Sequence, residues 1–242
     1  MAHFYLNEAI ESAKLGSTVM LEGAEARHAV SVSRVQIGEW LSVGNGSGLV
    51  VSGTVTSATP QELAVTVESV TETAAASPAV WLVQALAKGG RDEYAVQAAT
   101  ELGVDGVIPW AAARSIVKWE GAKVRKGHDR WSAIVREATK QSIRPWVPEV
   151  AELASSRILC ALAGEARMLV LDPAASNPLS AITPDARDVV LVVGPEGGIS
   201  PAELELLTAA GAETVRLGDT ILRTSTAGPA AIAVLNAALD RW

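Results

Sequence analysis

Residues 188–207 read DVVLVVGPEGGISPAELELL, and this stretch decides the fold class. The run 188–193 has the apolar, β-branched composition of a short strand covered on both faces. It leads directly into a loop in which Gly194, Gly197 and Gly198 carry no side chain. Backbone there can adopt positive φ or approach a ligand closely. Ser200 is a good helix N-cap, Pro201 suits the first helical position, and Glu203 completes a capping box. The order is therefore strand, glycine loop, helix. In open α/β sheets, ligands bind where strand C-termini meet such loops. The bland alternative is a tight connection that binds nothing. No GKS or GKT follows, and the spacing is not GxGxxG, so the common phosphate and dinucleotide fingerprints are absent.

The same rhythm extends in both directions. Upstream, strands are expected over 80–86, 104–110 and 167–171. A helix over 91–102 is stopped by Gly103, and a helix over 129–143 sets Trp131, Ile134, Val135 and Ala138 on one face. Strands alternating with helices predict an α/β domain with a mainly parallel sheet. Downstream, residues 215–239 read VRLGDTILRTSTAGPAAIAVLNAAL. A strand over 214–217 ends at Gly218. A second loop follows, and an alanine-rich helix begins near Thr226, which Thr224, Ser225 or Thr226 can cap. Pro229 is tolerable in a first turn. Arg223 is a lone cation in this loop, beside apolar Ile221 and Leu222.

The first 70 or so residues read differently. Short alternating runs at 17–21, 40–43, 49–55 and 63–70 are separated by turn-forming stretches, with a short helix over 24–35. A small β-barrel domain over 1–72 is expected. ETAAASP at 72–78 has linker composition, and the α/β domain occupies 78–242.

Composition places limits on function. Of the 242 residues 49% are hydrophobic, yet no apolar run nears the roughly 20 a membrane helix needs. The N-terminus, MAHFYLNEAIESAK, carries no secretory pattern, so a cytoplasmic protein is expected. The one cysteine, Cys160, sits in apolar RILCALA and reads as a structural thiol. His3, His28 and His128 show no ligand spacing, so no metal is expected. Net charge is −7, but residues 114–144 hold nine Lys/Arg against three Asp/Glu, and the remainder 11 against 24. One basic segment on an acidic body suits a local polyanion contact, although a solvated helix face would look similar.

At this point the chain resembles a known family. GPEGGIS (194–200) followed by LGDTILRTSTA (217–227) is similar to the paired C-terminal motifs of the RsmE family. These are ribosomal RNA small-subunit methyltransferases of the SPOUT superfamily, which form 3-methyluridine in 16S rRNA. The stretches at 84–119 (QALAKGGRDEYAVQAATELGVDGVIPWAAARSIVKW) and 130–148 (RWSAIVREATKQSIRPWVP) resemble its upstream blocks. HAVSVSRVQIG at 28–38 resembles its PUA-like RNA-binding barrel.

The resemblance implies a C-terminal SPOUT domain with a deep trefoil knot, S-adenosyl-L-methionine as cofactor, and a homodimer acting on 16S rRNA or the assembled small ribosomal subunit, with neither membrane nor metal. It implies that Leu171, Gly194, Pro195, Glu196, Gly197, Gly198, Leu217, Gly218, Ile221, Leu222, Thr226 and Ala227 hold the cofactor. Arg223 would steady negative charge developing on the uracil oxygens, and Glu196 would act as base or orienter. Arg114, Lys118, Lys123, Arg125 and Lys126 would contact RNA, with Arg27, His28, Arg34, Lys88 and Arg144 adding to them. One departure stands out: many members carry an acid where this chain has Ser225, which leaves the proton acceptor unassigned. The rivals are a knotted methyltransferase acting on ribose 2′-hydroxyl or on transfer RNA, and a non-catalytic RNA-binding assembly factor.

Overall fold

The computed structural model describes residues 3–242, which divide into two units. The first contains the described residues through Ala75 together with Thr139–Val147. Its strands are β1 (Phe4–Leu6), β2 (Thr18–Glu22), β3 (Trp40–Gly44), β4 (Leu49–Ala58) and β5 (Glu62–Glu72). They form one curled sheet in the order β1-β3-β4-β5-β2, antiparallel except for β1 on β3. Among the described residues no ladder joins β1 to β2, so the sheet is a half-barrel. Its inner face is built from Tyr5, Leu21, Leu41, Val51 and Val65. The alternating burial of β4, in and out residue by residue, is the period-2 pattern of a sheet with one covered face.

Instead of the single helix expected over 24–35, α1 (Gly23–Arg27) passes into a π-helical turn, His28–Val32. Arg34 then takes a left-handed φ of 58°. Lys140, almost fully buried, pairs with Glu25 at 3.1 Å within this unit.

The second unit, Ala76–Ala138 with Pro148–Trp242, is α/β. Its strands are β6 (Val80–Ala85), β7 (Gly106–Trp110), β8 (Glu149–Val150), β9 (Arg167–Leu171), β10 (Val189–Val193) and β11 (Glu213–Val215). Every ladder in this sheet is parallel, in the order β11-β9-β10-β6-β7-β8. The helices are α2 (Arg91–Glu101), α3 (Ala122–Gln141, which ends in the first unit), α4 (Ser156–Ala163), α5 (Pro201–Ala209) and α6 (Thr224–Ala238).

All five residues of β10 are buried, as a strand covered on both faces requires. Leu159 of α4 and Leu207 of α5 join one core cluster with Val170, Val190 and Val192. Gly228 of α6 lies so close to Leu82 and Val193 that a methyl group there would be 3.1 Å from Leu82. β10 is inserted between β9 and β6, although β9 precedes it directly in sequence and β6 lies far upstream. The C-terminal ends of β9, β10 and β11 therefore open side by side, where ligands collect in such sheets. Among the described residues no helix is long and apolar enough to cross a membrane.

Candidate functional site

A cavity of about 590 Å³ lies at those strand ends, within the size range of small-molecule sites. Leu171, Val193 and Val215, the last residues of β9, β10 and β11, form its floor. One wall is the glycine loop, with Gly194, Pro195, Glu196, Gly198 and Ile199. The other is the second loop, with Leu217, Gly218, Thr220, Ile221, Leu222 and Arg223.

The glycine loop needs its glycines. A Cβ at Gly194 would stand 2.7 Å from the Ile199 side chain, and Gly198 has φ +73°. The capping box forms as the spacing suggests: the Ser200 hydroxyl accepts from the Glu203 N–H and the Glu203 carboxylate accepts from the Ser200 N–H.

The second loop differs from expectation at its end. α6 starts at Thr224, with Arg223 in the N-cap position and no side-chain cap. Thr224 caps nothing; its hydroxyl donates to the Gly194 carbonyl at 2.7 Å and accepts from the Gln84 amide at 2.9 Å. This buried chain ties β6, the glycine loop and α6 together. Sequence reading listed Thr224 only as a possible cap or site residue and missed Gln84, because their contact spans 140 residues.

Of the nominated cofactor residues, Leu171, Gly194, Pro195, Glu196, Gly198, Leu217, Gly218, Ile221, Leu222 and Ala227 line the cavity; Gly197 and Thr226 do not. Arg223 lines it and is exposed. Glu196 lines it too, but its carboxylate is engaged: it accepts from Arg91 Nη1 at 2.9 Å and from the Lys88 N–H at 3.1 Å. Burial would raise this carboxyl, yet hydrogen bonds from its own backbone, Arg91 and Lys88 outweigh that and hold it below the ordinary glutamate value. Arg91, Asp172 and Arg216 also line the cavity and were not foreseen. A cation just after KGG at a helix start was the one available signal, for Arg91.

The nominated RNA contacts scatter. Lys118, Lys123, Arg125 and Lys126 are exposed on α3 and the segment before it. Lys88 is exposed beside Glu196, which holds its N–H. Arg114 bonds the glycine loop. In the first unit Arg27 and Arg34 are exposed, Arg144 is half-buried, and His28 packs edge-on to Tyr5. Cys160 is half-buried against the α/β core. Among the described residues no cluster of His, Cys, Asp and Glu could hold a metal.

Two family descriptions match the chain: an RNA methyltransferase domain over residues 75–236 and an RNA methyltransferase PUA domain over residues 21–68. The ribosomal RNA small subunit methyltransferase E of Mycobacterium bovis is 39% identical over 233 residues, covering 94% of this chain and 89% of the relative. The Bacillus subtilis protein of the same name is 30% identical, covering 94% and 93%. The crystal structure of ribosomal RNA small subunit methyltransferase E from Neisseria gonorrhoeae, bound to S-adenosyl methionine, superposes with a TM-score of 0.88 at 30% identity and 98% of both chains. A methyltransferase from Legionella pneumophila with bound cofactor gives 0.86 at 30% identity, again over 98% of both chains.

Proposed function

The chain belongs to the RNA methyltransferase family of ribosomal RNA small subunit methyltransferase E, and from that membership we propose that it uses S-adenosylmethionine to methylate N3 of a uridine in 16S rRNA. The observation that carries the reading is the cavity between the two loops, with Arg223 at its wall. The residues fit the cofactor. The cavity holds about 590 Å³, its walls offer glycine backbone, and its floor is apolar. Leu171, the glycine loop and residues 217–222 would hold it.

When bound, S-adenosylmethionine supplies a methyl group already activated on sulfonium. Two tasks remain for the protein: to place N3 in line, and to manage the charge left as N3 loses its proton. Placement is worth up to about 7–11 kcal/mol. Arg223 meets the second task, because a fixed guanidinium beside the uracil oxygens stabilises negative charge as it forms. N3 lies on the Watson–Crick edge, so the base enters unpaired or flipped out.

Glu196 acts as an orienter. An ionised carboxylate held by Arg91 and Lys88 is a weak base, and its bonds tie the glycine loop to the start of α2. The proton then passes to solvent or to a group on the RNA. The half-barrel, with Arg27, His28 and Arg34, and the exposed cations of α3 would grip the RNA. A homodimer, the trefoil knot and a cytoplasmic setting belong to the same proposal.

Arg223→Ala tests the assignment. Donor affinity, read by calorimetry, should change less than about threefold, while methyl transfer falls by about 10²–10³. Equal losses in both would make Arg223 a cofactor ligand instead.

A further inference from the structure

Arg114 opens the basic segment, yet its side chain is committed elsewhere. Its Nη1 donates to the Gly197 carbonyl at 3.1 Å and, more weakly, to the Ile199 carbonyl at 3.5 Å. Neither Arg114 nor Gly197 lines the cavity, so the contact grips the glycine loop from outside it. The fit is close: a Cβ at Gly197 would stand 3.3 Å from the Arg114 Cβ.

The backbone that carries Arg114 is itself anchored. The Ala113 N–H donates to Glu203 Oε1 at 2.8 Å, and the Ser156 hydroxyl donates to the same oxygen at 2.8 Å. Trp110 Nε1 donates in turn to Ser156 Oγ at 3.2 Å. The other Glu203 oxygen accepts from the Ser200 hydroxyl at 2.7 Å, at the end of the same glycine loop. Glu203 is buried. A buried carboxylate held by this many donors fixes whatever carries them. The contacts form a ring: glycine loop, Ser200, Glu203, Ala113, Arg114, and back to the loop.

We propose that Arg114 is a positioning residue for the donor site: with its backbone pinned to Glu203, it holds residues 194–200 in the shape that receives S-adenosylmethionine. It acts on the face of the loop opposite to the Glu196–Arg91 pair's attachment. The inference rests on reading the cavity as the donor site.

The test uses the full chain carrying Arg114→Ala, Arg114→Lys, and Arg114→Ala with Glu203→Gln. Calorimetry with S-adenosylmethionine reads donor affinity, and 16S rRNA binding at several salt concentrations reads the RNA contact. Arg114→Ala should weaken donor binding about tenfold, the scale of losing a charge-assisted hydrogen bond. Turnover at saturating donor, RNA affinity and its salt slope should stay at wild-type values. Arg114 is exposed, so the melting temperature should scarcely move. Arg114→Lys should recover part of the affinity, because an ammonium can still reach one carbonyl. Adding Glu203→Gln should cost less than the two single losses combined, since both act through one ring.

The proposal is overturned if Arg114→Ala leaves donor affinity unchanged. A salt slope lowered by about 0.7–0.9 in that case would make Arg114 a phosphate contact. If the wild-type chain binds no S-adenosylmethionine, the functional reading fails rather than this assignment.

Discussion

Thr224 shows how much one hydroxyl can organise. It stands between the Gln84 amide and the Gly194 carbonyl, both in the interior. Thr224→Val keeps the shape and removes the hydroxyl, leaving a buried donor and a buried acceptor unpaired. The expected cost is about 1–3 kcal/mol in denaturant unfolding, with weaker donor binding, and Thr224→Ser should restore most of both. Glu196 makes a complementary case. Its carboxyl is held below the ordinary glutamate range, so the stabilisation it gives is complete above about pH 4.3 and is lost as pH falls through its lowered value. Between pH 6 and 8 it stays ionised, and no bend in the rate profile should trace to it. Glu196→Gln should reduce turnover less than about tenfold. A loss of 10²–10⁴ would restore it as the base. The Arg91–Glu196 contact joins positions 105 apart, and no local pattern announces such a pairing.

Among the elements, α5 is the one whose start was written most plainly. Ser-Pro-x-Glu predicts both halves of the capping box, and both form. Ser200→Ala should cost about 1 kcal/mol of stability from the cap alone. It also frees one end of the ring through Glu203, so donor affinity should fall with it, as calorimetry would read. Elements with a clear apolar period or run were legible: β9 occupies 167–171 as expected, and β10 and α2 shift by a residue or so. Others were not, for physical reasons. α3 begins at Ala122 rather than 129, because its first two turns are polar and show no stripe. β1 has three residues, all buried, too few to show a period. α4 fills only eight residues around Cys160. The π-helical turn after α1 keeps a helical composition while changing its hydrogen-bond register, which residue types do not encode. Strand order was out of reach too: β10 lies between β9 and β6 because of long-range packing, and that insertion brings the two loops together.

For the molecule as a whole, charge distribution matters more than net charge. An acidic chain of net −7 can bind RNA only through a local cationic surface, and the exposed cations of α3 provide one. Neutralising Lys123, Arg125 and Lys126 together should reduce the magnitude of the salt slope of RNA binding by roughly two, while donor affinity stays unchanged. An unchanged slope would move the RNA path elsewhere. The account's central claim is tested most directly by incubating the protein with labelled S-adenosylmethionine and small ribosomal subunits lacking the modification, then identifying the labelled nucleoside by mass spectrometry. The account predicts 3-methyluridine from 16S rRNA. A methyl group on a ribose 2′-oxygen or on another base, or no transfer despite donor binding, would contradict it.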